Sequence, residues 1–176
     1  EKLRLLKPKT YKYSDPVARG QGQVYGFIAQ EVSGVLPYAV TTRKDIVPNV
    51  YTAGTANGDT VVLEAKTQTG DDTPSAETFT VSETILRIYV GDLVHEYPVS
   101  DIVSATTFKL AGLSVPENTQ VFVYGTQVSD FNVLDKTAIW TITTAALQEV
   151  DRVQQLHLER TAQIEERLAA LESGMN

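Results

Sequence analysis

A stretch from Asp135 to about Leu171 contains neither Gly nor Pro, and it constrains this chain more than any other feature. Asp135 suits an N-cap, where its carboxylate accepts from the orphan amides of the first turn, so the stretch predicts one uninterrupted helix. At about 1.5 Å per residue such a helix is roughly 55 Å long, longer than a small domain is wide. The rest of the chain cannot bury it. Steps of three and four residues alternate along one face through Trp140, Thr143, Leu147, Val150, Gln154, His157, Thr161, Ile164, Leu168 and Leu171. This is a heptad seam, apolar at both ends and polar in the middle, with Glu165, Glu166 and Arg167 outside it. Sustained over about four heptads, it predicts a coiled coil with other copies; the plainer alternative is an amphipathic helix packed on its own domain. Polar layers at Gln154, His157 and Thr161 cost stability but can fix register and strand number. Trp140, at the start of the helix, is expected as a core anchor where the helix meets a globular base.

Ahead of the helix the pattern changes twice. Over residues 1–51, Tyr11 and Tyr13 alternate with Lys12 as a strand would, Ser14-Asp15-Pro16 reads as a turn, and Gly20-Gln21-Gly22 reads as a hairpin loop before a strand at Val24–Phe27. That Gly-x-Gly is no phosphate loop, because it precedes a strand and no Gly-Lys-Ser/Thr follows. Ile28, Val32, Val35 and Leu36 take helical spacing until Pro37; a short strand follows at Tyr38–Arg43, then an extended run, Asp45–Tyr51, around Pro48. From Thr52 to Asp130, Val, Thr, Asp and Gly dominate. Strand candidates are Thr60–Ala65, Glu77–Val81, Ile85–Val90, Val94–Val99, Thr106–Leu110 and Gln120–Tyr124. Turn signals separate them at Asn57-Gly58-Asp59, Gly70-Asp71-Asp72, Gly91-Asp92 and Pro116-Glu117-Asn118. Such punctuation predicts a small antiparallel sandwich or barrel. The expected architecture is α+β: a globular base at 1–51, an inserted β-rich subdomain at 52–130, and a helical segment at 131–176 that completes the base and forms a coiled coil with other copies.

Composition removes several functions. A net charge of −7 disfavours nucleic acid or an anionic membrane as partner, since both require a basic face. With no cysteine, disulfides, Cys-ligated zinc and thiol catalysis are excluded. No apolar run reaches about 18 residues, and the N-terminus lacks a signal-peptide core. Opening as Glu1-Lys2-Leu3-Arg4-Leu5-Leu6, without Met, the chain reads as a fragment of something longer.

Three segments share the order and wording of one family. They are Leu3-x-x-Leu6-x-Pro8-x-Thr10-Tyr11-x-Tyr13, then Tyr25-Gly26-Phe27-Ile28-Ala29-Gln30-Glu31-Val32 with Pro37 following, and Ala145-Ala146-Leu147-Gln148-Glu149-Val150. Together they resemble the self-cleaving intramolecular chaperone domain at the C-terminus of phage tail spikes, endosialidases and neck-appendage fibres, which also occurs in the myelin regulatory factor. Asp45–Tyr51 and the run from Val123 to Lys136 look like the version with an insertion, found in fibre-like proteins of large viruses. The resemblance covers about half of the chain, residues 1–51 and 123–171. It implies a homotrimer, the helical segment forming a trimeric coiled coil, that templates folding of the preceding β-rich fibre or spike and then cuts itself off. It also implies a virion precursor acting in the host cell during assembly. In the family a Ser–Lys dyad makes the cut: a desolvated neutral Lys deprotonates Ser, which attacks the adjoining carbonyl, with positioning supplying much of the acceleration. Once cut, fibre and chaperone no longer refold as one chain, which traps the fibre kinetically.

The family's Ser-Asp-x-x-x-Lys run, expected upstream of Leu3, is not in this stretch, so either it belongs to a segment ahead of residue 1 or this member does not cleave; Ser14-Asp15, after the Tyr motif and before Pro16, reads as a turn. No catalytic, cofactor-binding or metal residue is therefore assigned, and no turnover enzyme is expected. His157 would meet its copies on a trimer axis, where it binds an anion when protonated or a metal when neutral. A hydrated polar layer is the plainer alternative, with one ligand per chain. His95 is expected at the surface, and Gln30 and Glu31 are either part of the signature or a solvated helix face. The alternative to a released chaperone is a structural or receptor-binding tip retained on a viral fibre.

Overall fold

In Ile85–Val90 every second side chain turns inward: Leu86 and Ile88 are inaccessible while their neighbours are not, the period-two pattern of a strand with one face on a core. The computed structural model, which describes residues 2–64 and 75–173, builds a sheet from seven such elements. In chain order the strands are β1 (Lys9–Tyr11), β2 (Val24–Gly26), β3 (Val40–Val47), β4 (Thr52–Gly58), β5 (Thr60–Leu63), β6 (Ile85–Val90), β7 (Leu93–Ser104), β8 (Thr107–Leu110) and β9 (Val115–Leu134). The helices are α1 (Pro16–Arg19), α2 (Ala29–Ser33) and α3 (Lys136–Ser173). Contacts divide the chain into two units, one holding residues 1–7, 27–41 and 134–176, the other 8–26 and 42–133. Ala65 and the Gly70-Asp71-Asp72 turn signal lie outside the described residues.

The larger unit contains a closed antiparallel barrel. Strand order is β3-β9-β4-β5-β8-β7-β6, and β6 returns to β9. Phe122 of β9 is therefore paired with Ala53 of β4 on one side and Tyr89 of β6 on the other. The β6–β9 pairing closes the barrel, and β3 lies outside that ring, bonded to β9 along one side. Val61, Leu86, Ile88, Val99, Phe108 and Val123 fill the interior, each fully inaccessible. Glu77–Val81, expected as a strand, is instead a 3-10 turn over Ala76–Thr78 followed by a loop. The buried residues there are Ala76 and Phe79, three apart and not two, so the segment winds. Phe79 meets Phe108 edge-on at 5.3 Å. The Pro116-Glu117-Asn118 signal does not end a strand either. It makes a bulge inside β9, between the pairs Gly58–Val115 and Ala56–Thr119, with Asn118 at φ 60°. β1 and β2 form a separate two-stranded pair in this unit.

The smaller unit is built around Val32 of α2, Leu36 just after that helix, Ala39 of the following 3-10 turn, and Ile139 of α3. Asp135 joins them by donating its backbone N–H to the Ala39 carbonyl at 2.8 Å. Its carboxylate accepts from the amides of Thr137 and Ala138 at 2.9 and 3.2 Å, the N-cap expected of it. Trp140 is not the anchor of this core. The anchor is Ile139, 4% exposed, with Ala138 and Ile142 beside it, whereas Trp140 is 71% exposed. One residue along a helix is about 100° around its axis, so only one of two neighbours can face the base.

Candidate functional site

From Trp140 onward α3 presents its expected seam to solvent. Leu147, Val150, Ile164, Leu168 and Leu171 are each more than half exposed, as are Trp140 and Leu158. Thr143, Gln154, His157 and Thr161 are exposed too. The two threonines are already satisfied within the helix: Thr143 donates to the Ile139 carbonyl at 2.8 Å and Thr161 to that of His157 at 2.9 Å. Beside the seam, Arg152 makes a bidentate bond to Glu149 with both contacts at 2.7 Å. This bond holds the Glu149 carboxyl below, and the Arg152 guanidinium above, their ordinary ranges. At the helix start a groove is lined by Lys2, Leu3 and Arg4 on one wall and Ile142, Ala145, Ala146 and Val150 on the other.

The signature residues fall into three places. Tyr11 lies against Gly26, where a Cβ would come within 2.9 Å of its hydroxyl, so the glycine is what lets the Tyr11 ring lie across the β1–β2 pair. Phe27 packs on the Val32–Leu36–Ile139 cluster, Ile28 precedes the first turn of α2 and accepts from the Val32 amide at 3.0 Å, and Ala29 begins the helix. Gln30 and Glu31 are exposed on α2, and Leu147, Gln148 and Glu149 are exposed on α3. His95 and Ser14 are likewise at the surface. Among the described residues no cluster of three His, Asp or Glu could hold a metal ion, and no helix is long and apolar enough to cross a membrane.

One polar centre has no counterpart in the sequence reading. Asp15, read as a turn residue, is buried at 8% exposure and caps α1, accepting from the Ala18 amide at 2.9 Å. It also accepts from the Tyr51 hydroxyl at 3.1 Å and the Tyr124 hydroxyl at 3.0 Å. The Ala18 amide, followed by the two phenols, holds its carboxyl below the usual range against the opposing effect of burial. Burial and the bond to Asp15 push Tyr124 up to about 12, and the same causes raise Tyr51. Asp followed by Pro is a helix-start signal that can be read locally. The phenols, 36 and 109 residues away, leave no local trace.

Comparison with known proteins agrees with the motif reading. Uncharacterized protein VP1 of Micromonas pusilla reovirus (isolate Netherlands/2005) is 30% identical to the chain over a 212-residue alignment. That alignment takes in 97% of this chain, which spans 11% of the viral protein's length. No solved structure matches. Residues 1–41, which hold Tyr11 and the run Gly26 to Glu31, match the family described as the chaperone of endosialidase, the family that the order of these motifs resembles.

Proposed function

We propose that this chain is an intramolecular chaperone that trimerises through α3 and assists folding and assembly of a viral fibre or spike segment preceding it. Release by a Ser–Lys self-cleavage upstream of residue 1 belongs to the same proposal, as does action on a virion precursor inside the host cell. The observation that carries it is the 38-residue helix whose apolar seam lies in water beyond its own small base. Isolated helices are marginal in water and helices in proteins gain most of their stability from a packed apolar face, where each Leu or Ile fully buried contributes about 1.5–3 kcal/mol. Three copies placing Leu147, Val150, Ile164, Leu168 and Leu171 on a common axis supply that packing. The family match on residues 1–41 and the similarity to a viral protein support the same role. The turn Lys2–Leu5 lies beside the first turns of α3, so a segment preceding it would leave next to the trimer axis.

Sedimentation equilibrium on the purified chain tests the assembly. A species of three times 19.3 kDa is expected, and a monomer at micromolar concentration refutes the proposal. Electrophoresis of the parent protein tests release. A single uncut band, with this chain still present in mature particles, replaces the released chaperone by a retained tip.

A further inference from the structure

On the outer wall of the barrel four aromatic rings surround a cavity of about 500 Å³. Their placement follows from the alternation of the strands. Val121 and Val123 face the core, so Phe122 and Tyr124 face outward; Ile88 faces the core, so Tyr89 faces outward and pairs with Phe122 across β6 and β9. Tyr51 completes the group, edge-on to Phe122 at 4.9 Å and 5.8 Å from Tyr124. Its backbone is held at φ 44°, in the left-handed region that a bulky side chain avoids, by a hydrogen bond that its N–H donates to the Tyr124 carbonyl at 2.9 Å. Such conformations persist where surrounding structure holds them, and they concentrate at ligand sites. Asp15, Val17 and Ala18 form the remaining wall.

Charge distinguishes this cavity from an ordinary apolar cleft. Asp15 is its only ionised lining group, its three bonds come from neutral donors, and among the described residues no Lys or Arg pairs with it. Arg87, whose field reaches Tyr124, is itself bound to Glu96 at 2.6 Å. The three neutral donors keep the Asp15 carboxylate ionised without neutralising its charge, and aromatic faces are negative at their centres, so the carboxylate and the rings favour the same occupant. An anion is repelled. Ca²⁺ or Mg²⁺ takes six or more oxygens and Zn²⁺ takes four N, S or O ligands, where one carboxylate is offered. A cation clothed in methyl or methylene groups satisfies both the rings and Asp15.

We propose that Asp15, Tyr51, Tyr89, Phe122 and Tyr124 form a binding site for a small organic ammonium ion. The site is built wholly from residues of the larger unit, and the proposal does not rest on trimerisation. Titration of the purified chain with choline, tetramethylammonium or butylammonium is followed by NMR of the tyrosine rings. 3,3-Dimethylbutan-1-ol, the uncharged carbon counterpart of choline, serves as control. Saturable shifts with at least one ammonium, and binding at least about tenfold weaker for the alcohol, are expected. Equal binding of choline and the alcohol overturns the proposal, as does the absence of saturation by any of the three cations up to about 50 mM, near the weakest affinity worth assigning to a site. Asp15→Asn keeps the helix cap and an acceptor for the Tyr51 hydroxyl, its amide nitrogen donating instead to the Tyr124 oxygen, and should weaken ammonium binding about tenfold with the fold unchanged. If that variant does not fold, Tyr89→Leu decides, because it removes one ring without touching the Asp15 bonds. A several-fold loss supports the site, and undiminished affinity in a folded variant overturns it.

Discussion

Neighbouring residues at the start of α3 should respond oppositely to chain concentration. Ile139 is 4% exposed among Val32, Leu36 and Ala39, so Ile139→Ala removes three buried carbons and leaves a cavity. Transfer alone, at about 0.8 kcal/mol per carbon, gives roughly 2.4 kcal/mol, and the cavity brings the expected cost to about 3–4 kcal/mol. That loss belongs to the base of each chain and is independent of assembly. Trp140 is 71% exposed in the single chain. A tryptophan side chain carries about 200 Å² of surface, so covering its exposed share in a trimer seam removes on the order of 140 Å² from water, worth at most about 3.5 kcal/mol per chain. Trp140→Ala should therefore leave a dilute monomer within about 0.5 kcal/mol of the parent while lowering the concentration-dependent part of the stability. Urea unfolding over a hundredfold range of chain concentration separates the two: the parent midpoint rises with concentration, Ile139→Ala shifts the whole curve down, and Trp140→Ala flattens it. Equal destabilisation by Trp140→Ala at every concentration would show that the tryptophan packs on its own base, and would refute the assignment of Ile139 as sole anchor.

Other expectations follow from single contacts. A Cβ at Gly125 would collide with the Val47 carbonyl oxygen and crowd Asn49, so Gly125→Ala should cost the larger unit at least about 2 kcal/mol in urea unfolding. Replacing His157 by Ile together with Gln154 by Leu should raise the melting temperature of the assembly if these are only hydrated layers. A mixture of oligomers by sedimentation would instead assign them a register role. Asp15 has a depressed carboxyl in the folded state. Its contribution is complete above the unfolded value of about 3.9 and is lost as pH falls through the folded value below it, so acid titration of the parent and Asp15→Asn should show curves that converge below about pH 4. Tyr124 has the opposite sign. Held up at about 12, it adds stability that is full below the unfolded value near 10 and fades as pH rises toward 12, which ultraviolet titration of the tyrosines can follow against Tyr124→Phe.

Legibility in the sequence divides along range. The helix from Lys136 to Ser173, its cap at Asp135 and strand β6 depend on neighbours in sequence, through helical period, capping chemistry and strict alternation, and each is read directly from the residues. Strand β4 was not legible. Thr52-Ala53-Gly54-Thr55-Ala56-Asn57-Gly58 has none of the large apolar residues that mark a strand, because it lies at a crowded point: a Cβ on Gly54 would come within 2.7 Å of the Val62 carbonyl. The length of β9, from Val115 to Leu134, was hidden for a related reason. The bulge at 116–118 carries the signature of a turn, and only pairing with β4 on both sides of it keeps the strand continuous.

The same division explains why the helix seam could be read and the aromatic cavity could not. A seam is a one-dimensional pattern, and its physical meaning, an apolar stripe without a partner, survives in the bare order of residues. The Asp15 centre is created by barrel closure. Tyr89 and Phe122 become neighbours because β6 returns to β9, and Asp15 reaches Tyr124 across 109 residues once the 14–19 segment lies on that wall. Sequence alone gives Asp15 a turn and places the four aromatics in extended segments, each ordinary by itself. Convergence is what turns exposed rings and one carboxylate into an electrostatically unbalanced pocket, so a function located there depends on the barrel closing while one located on α3 does not. Gly125→Ala, which strains β9 beside Tyr124, should therefore weaken ammonium binding while leaving trimerisation through α3 intact; loss of both together would mean that the two sites are coupled through the fold.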